Sequence, residues 1–220
     1  MGIPIIYRKS SEGAIASYSF IDIAEGTGII NFYGADTEDN SVKDHSLMTN
    51  QIYSNDIYTT ATVGFVTPPA SVKALDIDFD VTFTVPKILK GIIRLQVPWA
   101  QGSASSANFN GTSFILARAR KWDGTAETEL RASIMSKNLT VGSLVIGGAI
   151  AMIEIIIPNR IHFKKGETLR ITIEVWASVS GSQGTIVYLM HDPMNRAFIT
   201  FSNDFPTTVL LMQVPFVIDL

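Results

Sequence analysis

The stretch Leu75-Asp76-Ile77-Asp78-Phe79-Asp80-Val81-Thr82-Phe83-Thr84-Val85 decides the fold. Apolar Leu75, Ile77, Phe79, Val81, Phe83 and Val85 alternate with Asp76, Asp78, Asp80, Thr82 and Thr84. Successive side chains of a strand face opposite ways, so this order sends one face into a core and the other into water. A helix would spread the same residues around its circumference. Pro86 then lacks the N–H that a central ladder needs.

Outward from this strand the pattern stays β. Gly91 to Val97 is expected to form a strand ending at Pro98, and Gln101 to Gly111, rich in Ser, Ala, Asn and Gly, an exposed loop. Ser113 to Trp122 and Thr125 to Ser133 flank Asp123-Gly124, which predicts a hairpin with a type I′ turn. Ala149 to Ile157 is strongly β-branched and is expected to stop at Pro158. Lys164-Lys165-Gly166-Glu167 reads as a turn. After it Leu169, Ile171, Ile173 and Val175 alternate with Arg170, Thr172, Glu174 and Trp176. Ser178 to Gly184 reads as a turn, and Thr185 to Met190 and Thr208 to Ile218 as strands. Asp36 to Asn50 is polar and is expected to hold a short helix or a loop.

Roughly nine to eleven short strands with polar or Gly/Pro turns indicate an all-β chain. The expectation is one two-sheet antiparallel β-sandwich over residues 1–220, jelly-roll-like in topology. Residues 1–34, apolar but weakly alternating, are expected to form an extended arm.

Composition narrows the function. Hydrophobic residues make up 46% of the 220-residue chain and charged residues only 17%, against about 25% charged in ordinary globular chains. Such a surface suits a subunit covered by partners, or a large core under a Ser/Thr/Asn surface. A net charge of −3 and short basic clusters (Arg118, Arg120, Lys121; Lys164, Lys165) argue against direct nucleic-acid binding. With no cysteine, disulfides, thiol chemistry and cysteine-held zinc are excluded. The uncharged run Leu139 to Ile153 is shorter than a membrane span and is broken by Gly142, Gly147 and Gly148, so no membrane association is expected. The N-terminus lacks the order of a signal peptide.

No catalytic, cofactor or metal residue is assigned, and the chain is expected not to be an enzyme. Asp76, Asp78 and Asp80 diverge along a straight strand rather than converging on a cation. His45, His162 and His191 have no metal-ligand spacing. Gly26-Thr27-Gly28 lacks the third glycine and helix start of a dinucleotide site. Trp99, Trp122 and Trp176 are candidates for core packing, a subunit interface or a sugar platform. Trp122 and Trp176 are the stronger two, Trp176 falling on the polar side of its strand.

Three stretches carry a resemblance: Glu12-Gly13-Ala14-Ile15-Ala16-Ser17-Tyr18, His162-Phe163-Lys164-Lys165-Gly166-Glu167-Thr168-Leu169-Arg170, and Val214-Pro215-Phe216-Val217-Ile218-Asp219-Leu220. Through them the chain resembles uncharacterised β-rich virion structural proteins of tailed phages and environmental viruses. The resemblance implies a capsid decoration, minor capsid or tail-associated subunit. Such a subunit would sit in the virion as a homo-oligomer beside other virion proteins. The alternative expectation is a carbohydrate- or receptor-binding module with a glycan as partner.

Overall fold

The computed structural model describes residues 16–17, 27–39, 42–64, 66, 70–102, 109–142, 146–181, 184–197 and 207–217. Met1 to Ile15 and the connection Asn203 to Pro206 lie outside the described residues, as do Gly26 and the end Ile218 to Leu220.

The strands are β1 (Ala16–Ser17), β2 (Thr27–Asp39), β3 (Val42–Met48), β4 (Tyr58–Val63), β5 (Val72–Thr82), β6 (Lys87–Gly102), β7 (Phe109–Trp122), β8 (Glu127–Met135), β9 (Leu139–Val141), β10 (Ile146–Phe163), β11 (Thr168–Gly181), β12 (Thr185–Met190) and β13 (Leu211–Val217). No described residue is helical. The all-β sandwich expected from the alternation is therefore the fold.

One hydrogen-bonded path runs β4-β12-β6-β13-β2-β3-β5-β11-β7-β8, with β1 beside β2, β10 beside β6 and β9 beside β7. All pairings are antiparallel except a single parallel contact between β3 and β5 at Ser46 and Asp80. The path folds back on itself, so that β6, β10 and β13 face β5, β7 and β11 across one core. Trp99 of β6 is buried and its Nε1–H donates to Ser113 Oγ of β7 at 3.1 Å. Phe83 meets Phe163 and Phe216 edge to face at 5.1 and 5.6 Å. These rings close the sandwich at the end where the chain crosses between layers.

In β5, Leu75, Ile77 and Phe79 are buried and Val81 packs against the core. Phe83 is buried as expected, but Val85 is 53% exposed. The strand ends at Thr82 because Phe83 leaves the ladder: its N–H donates to Glu167 O and its carbonyl accepts from Gly166 N–H. The predicted turn at Lys164 is thus tied to the bend after Thr82. Gly166 takes φ +88°, and Lys164 N–H donates to the Glu167 carboxylate at 2.6 Å.

Several boundaries differ from the sequence reading. Within Asp36 to Asn50, Asp36 to Asp39 and Val42 to Met48 are not helix or loop but strands of the antiparallel β2–β3 pair, Tyr33 opposite Met48 through Asp39 opposite Val42. Its polar residues satisfy one another: Thr37 Oγ1 donates to Asp44 O and lies 3.5 Å from Ser46 Oγ. The Asp123-Gly124 hairpin forms, but with four loop residues between paired Trp122 and Glu127, and only Gly124 has positive φ. The Asp123 carboxylate replaces the type I′ geometry by accepting from Thr125 and Ala126 N–H, both at 2.8 Å. Residues 27–34 lie in β2, paired with β13 on one side. The expected 101–111 loop begins and ends inside strands, at Gly102 and Phe109.

Prolines expected to stop strands are absorbed instead. Pro98 sits inside β6 where its neighbour changes, since β13 pairs up to Gln96 and β12 begins at Trp99. A missing N–H costs little where no partner faces it. Pro158 lies in a register shift of β10 against β6 between Ile157 and Ile161. Beside it, β13 shifts between Gln213 and Phe216, and Gly91 of β6 takes φ +122°. The three irregularities line up across adjacent strands and bend the sheet there, the usual role of bulges.

Candidate functional site

The outer face of the β5–β11–β7–β8 layer carries crosswise rows set by register: Asp80, Arg170 and Arg120; Asp78, Thr172 and Arg118; Lys73, Trp176 and Phe114. Arg170 bridges Asp80 through two bonds, Nε to Oδ1 at 2.8 Å and Nη2 to Oδ2 at 2.7 Å, and also pairs with Glu127. Arg118 pairs with Glu174 at 3.1 Å and Glu129 at 3.3 Å, and Arg120 with Glu127 at 2.8 Å. Asp80 hydrogen bonds raise the Arg170 pKa further. Burial works to raise the Glu127 carboxyl, but Arg120 and Arg170 outweigh it and hold it below its usual range.

The aspartate row is therefore a structural ladder. Asp76 is bound by Lys73, Asp78 by Thr172 and Asp80 by Arg170. β5 pairs with β11 from Thr82 to Val72 and on its other side meets β3 at the one parallel bridge between Asp80 and Ser46. The row lines a shallow depression of about 510 Å³ together with Asp44 and His45. Among the described residues no group of three or more His, Asp or Glu side chains is placed to hold a metal ion.

The structure separates the three tryptophans. Trp99 is core. Trp122 is half-buried with the Arg170 guanidinium 5.8 Å from its ring centroid. Trp176 is half-buried, stacked on Phe114 at 6.2 Å and 5°, with its N–H given to Glu174 at 2.6 Å. Trp122 lies opposite Thr168 at one end of the β7–β11 pair and Trp176 well along it opposite Phe114, so they form no common platform.

The histidines part in the same way. His162 is exposed at the end of β10, and its carbonyl accepts from Lys121 Nζ at 2.6 Å. His45 and His191 meet, rings 5.1 Å apart and nearly perpendicular, with the Thr59 hydroxyl 3.3 Å from His45 Nε2 and 2.9 Å from His191 Nε2. One hydroxyl can donate to one imidazole and accept from the other. This polar trio, packed on Phe79, joins β3, β4 and the end of β12.

Next to it, loops 49–57 and 191–197 build a groove that sequence reasoning missed. Asn55, Asp56, Ile57, Tyr58, Thr59, Thr60 and Arg196 line about 590 Å³. Arg196 is fixed from three sides. Nε and Nη2 bond the fully buried Asp192 carboxylate at 3.0 and 3.1 Å, Nη2 also reaches Ser54 O at 2.6 Å, and the guanidinium lies 4.0 Å from the Tyr53 ring centroid. Tyr53 is 71% exposed. The stretch Tyr53-Ser54-Asn55-Asp56-Ile57-Tyr58 held half the signal. Arg196 comes 142 residues after its Ser54 partner and had none.

The outer face of β6 and β10 is the other exposed surface. Ile156 lies opposite Ile92, Glu154 opposite Arg94 and Met152 opposite Gln96. Met152 and Ile156 are 72% and 52% exposed, and Arg94 Nε meets Glu154 at 3.0 Å between them.

No protein-family model matches the chain, and no curated protein matches it. Among solved structures it is similar to a CocE/NonD family hydrolase from Staphylococcus aureus, at TM-score 0.44 and 14% identity, over 84% of this chain and 36% of that one. It is also similar to infectious bursal disease virus, Gt strain, at TM-score 0.31 and 9% identity, over 88% and 44%. The VP2 subviral particle of that virus matches at TM-score 0.30 and 9% identity, over 84% and 42%. The chain spans less than half the length of each of these three chains. The hydrolase contradicts the expectation that the chain is not an enzyme.

Proposed function

We propose that this chain is a structural subunit of a virus particle, a capsid decoration, minor capsid or tail-associated component that packs on further copies of itself and on other virion proteins. A tailed-phage origin is the finer form of this reading and rests on the three resembling stretches of sequence. The observation that carries the assembly is the β6–β10 outer face. Its exposed Met152 and Ile156 bracket the Arg94–Glu154 pair.

That pattern is self-complementary. A two-fold axis parallel to the strands, between β6 and β10, sets Glu154 of one copy over Arg94 of the next and Ile156 over Ile92. Closed symmetric contacts of this kind are the common basis of homo-oligomers. Burial of the apolar rows supplies the drive and the charges set the register.

Solution mass by size-exclusion with light scattering tests the reading. The wild-type chain is expected as a dimer or higher closed assembly. The Met152→Lys, Ile156→Lys double variant is expected as a folded monomer. A wild-type monomer at high protein concentration overturns the self-assembly.

A further inference from the structure

We propose that the end of β10 beyond its bulge, with Lys90 of β6 beside it, binds the phosphate backbone of nucleic acid. The surface is made by Lys90, Arg160, His162, Lys164 and Lys165. Along Arg160-Ile161-His162-Phe163-Lys164 basic and apolar residues alternate. Arg160, His162 and Lys164 are exposed, Ile161 packs against the core and Phe163 is buried. Period two thus sends three basic side chains to solvent, roughly 6.5–7 Å apart at the backbone. Lys165 follows, exposed in the turn.

Register completes the stripe. Leu89 lies opposite Ile161 and Gly91 opposite Ile157, so the exposed Lys90 between them faces the bulge that carries Arg160. The expectation against nucleic acid counted Lys164 and Lys165 as an isolated pair, because β6 is remote in sequence. The bulge, with Gly91 at φ +122° and the shift in β13, also separates the stripe from the Ile92–Ile156 row of the assembly face.

These charges are not neutralised locally. Among the described residues Lys90, Arg160, Lys164 and Lys165 have no ion-pair partner. The Glu167 carboxylate is held by Lys121 at 2.5 Å and accepts from the backbone N–H of Lys164. The chain's net charge of −3 therefore conceals a local cationic surface.

The surroundings select the partner. No large apolar side chain is exposed between Arg160 and Gly166. A protein partner draws on an apolar centre, whereas a nucleic acid backbone needs cations that displace its counterions. No Phe, Tyr or Trp ring is exposed in this segment for base stacking, so the contact is to phosphates and is indifferent to sequence.

Fluorescence anisotropy with two labelled 24-base-pair DNA duplexes of unrelated sequence tests the surface on the full chain. Both are expected to bind alike, with a Kd of about 1–10 μM at 25 mM salt. Four cations imply a logarithmic salt slope of about −3 to −4, a loss of about a hundredfold in affinity for a fourfold rise in salt. The Arg160→Gln, Lys164→Gln double variant, checked for fold by thermal melting, is expected to bind at least about tenfold more weakly and to lower the slope by about two. Lys137→Gln, an exposed cation between β8 and β9, is expected to change neither. Absence of binding at 25 mM salt, equal affinity for poly-glutamate, or wild-type affinity and slope in the folded double variant overturns the proposal.

Discussion

Arg170 on β11 and Asp80 on β5 are joined by two parallel hydrogen bonds, Nε to Oδ1 at 2.8 Å and Nη2 to Oδ2 at 2.7 Å, although 90 residues separate them in sequence. Asp78 and Glu127 also pair with the same guanidinium. Removing it leaves three carboxylates facing each other on a partly covered sheet face. Arg170→Met is expected to destabilise the fold by about 2 kcal/mol at neutral pH, read from urea unfolding. Arg170→Lys recovers only part of the loss, because an ammonium cannot bridge a carboxylate with a planar fork. Equal stability of Arg170→Met and wild type would mean that solvent already screens the network.

Acid acts on the same face. The Lys121 ammonium and the Lys164 N–H hold Glu167 below its ordinary value of 4.5, and the arginines hold Glu127 there against burial. A carboxylate lowered by folding contributes stability that is fully present above its unfolded pKa. That contribution is lost as pH falls through the folded pKa. The urea midpoint is therefore expected to stay level from neutrality down to about pH 5 and to fall below the ordinary carboxylate range. Glu127→Gln should start less stable at pH 7 and show a shallower acid decline. An unchanged decline would assign the acid sensitivity to other carboxylates.

Gly91 lies where β6 meets two bent neighbours. Its φ is +122°, and a Cβ there would sit 3.1 Å from Pro215 Cγ. Gly91→Ala combines a strained backbone with a crowded ring, and a loss of about 2–3 kcal/mol is expected. Thermal unfolding reads it. A loss no greater than that of an exposed control such as Gly142→Ala, where a Cβ meets nothing within 4 Å, would show that the bend adapts.

These features mark how far the sequence could be read. Alternation from Leu75 to Phe83 and from Leu169 to Trp176 revealed the sheets and their inward faces, because period two is a local property of the chain. The continuation of β6 past Pro98 and of β10 past Pro158 was hidden, since whether a proline ends a strand depends on which neighbour faces its nitrogen. The β2–β3 hairpin was hidden because its polar side chains bond each other rather than alternate with a core. The Tyr53–Arg196 contact had no local trace, because its partners meet only once both loops are closed. Arg170 read as part of a polar strand face, and only the register showed that it holds the acidic row.

The same dependence on register gives the sharpest test of assembly through β6 and β10. Arg94 and Glu154 lie opposite each other within one copy, and the two-fold packing places each beside its opposite in the second copy. Both are about half exposed, with side chains 45% and 57% accessible, so reversing one leaves the fold nearly unaffected. Glu154→Arg alone sets arginine against arginine across the interface and is expected to dissociate the assembly. Arg94→Glu alone sets glutamate against glutamate with the same result. The double variant restores opposite charges at both contacts and is expected to reassociate to the wild-type mass. An equimolar mixture of the two single variants is expected to reassociate as a heterodimer, although neither variant assembles alone. The Glu154→Arg homodimer sets Arg against Arg at both contacts and the Arg94→Glu homodimer Glu against Glu at both, while in the heterodimer the introduced arginine faces the introduced glutamate and the native Glu154 faces the native Arg94. Light scattering on the four samples separates this geometry from nonspecific apolar sticking, in which single reversals leave the mass unchanged and the double reversal adds nothing.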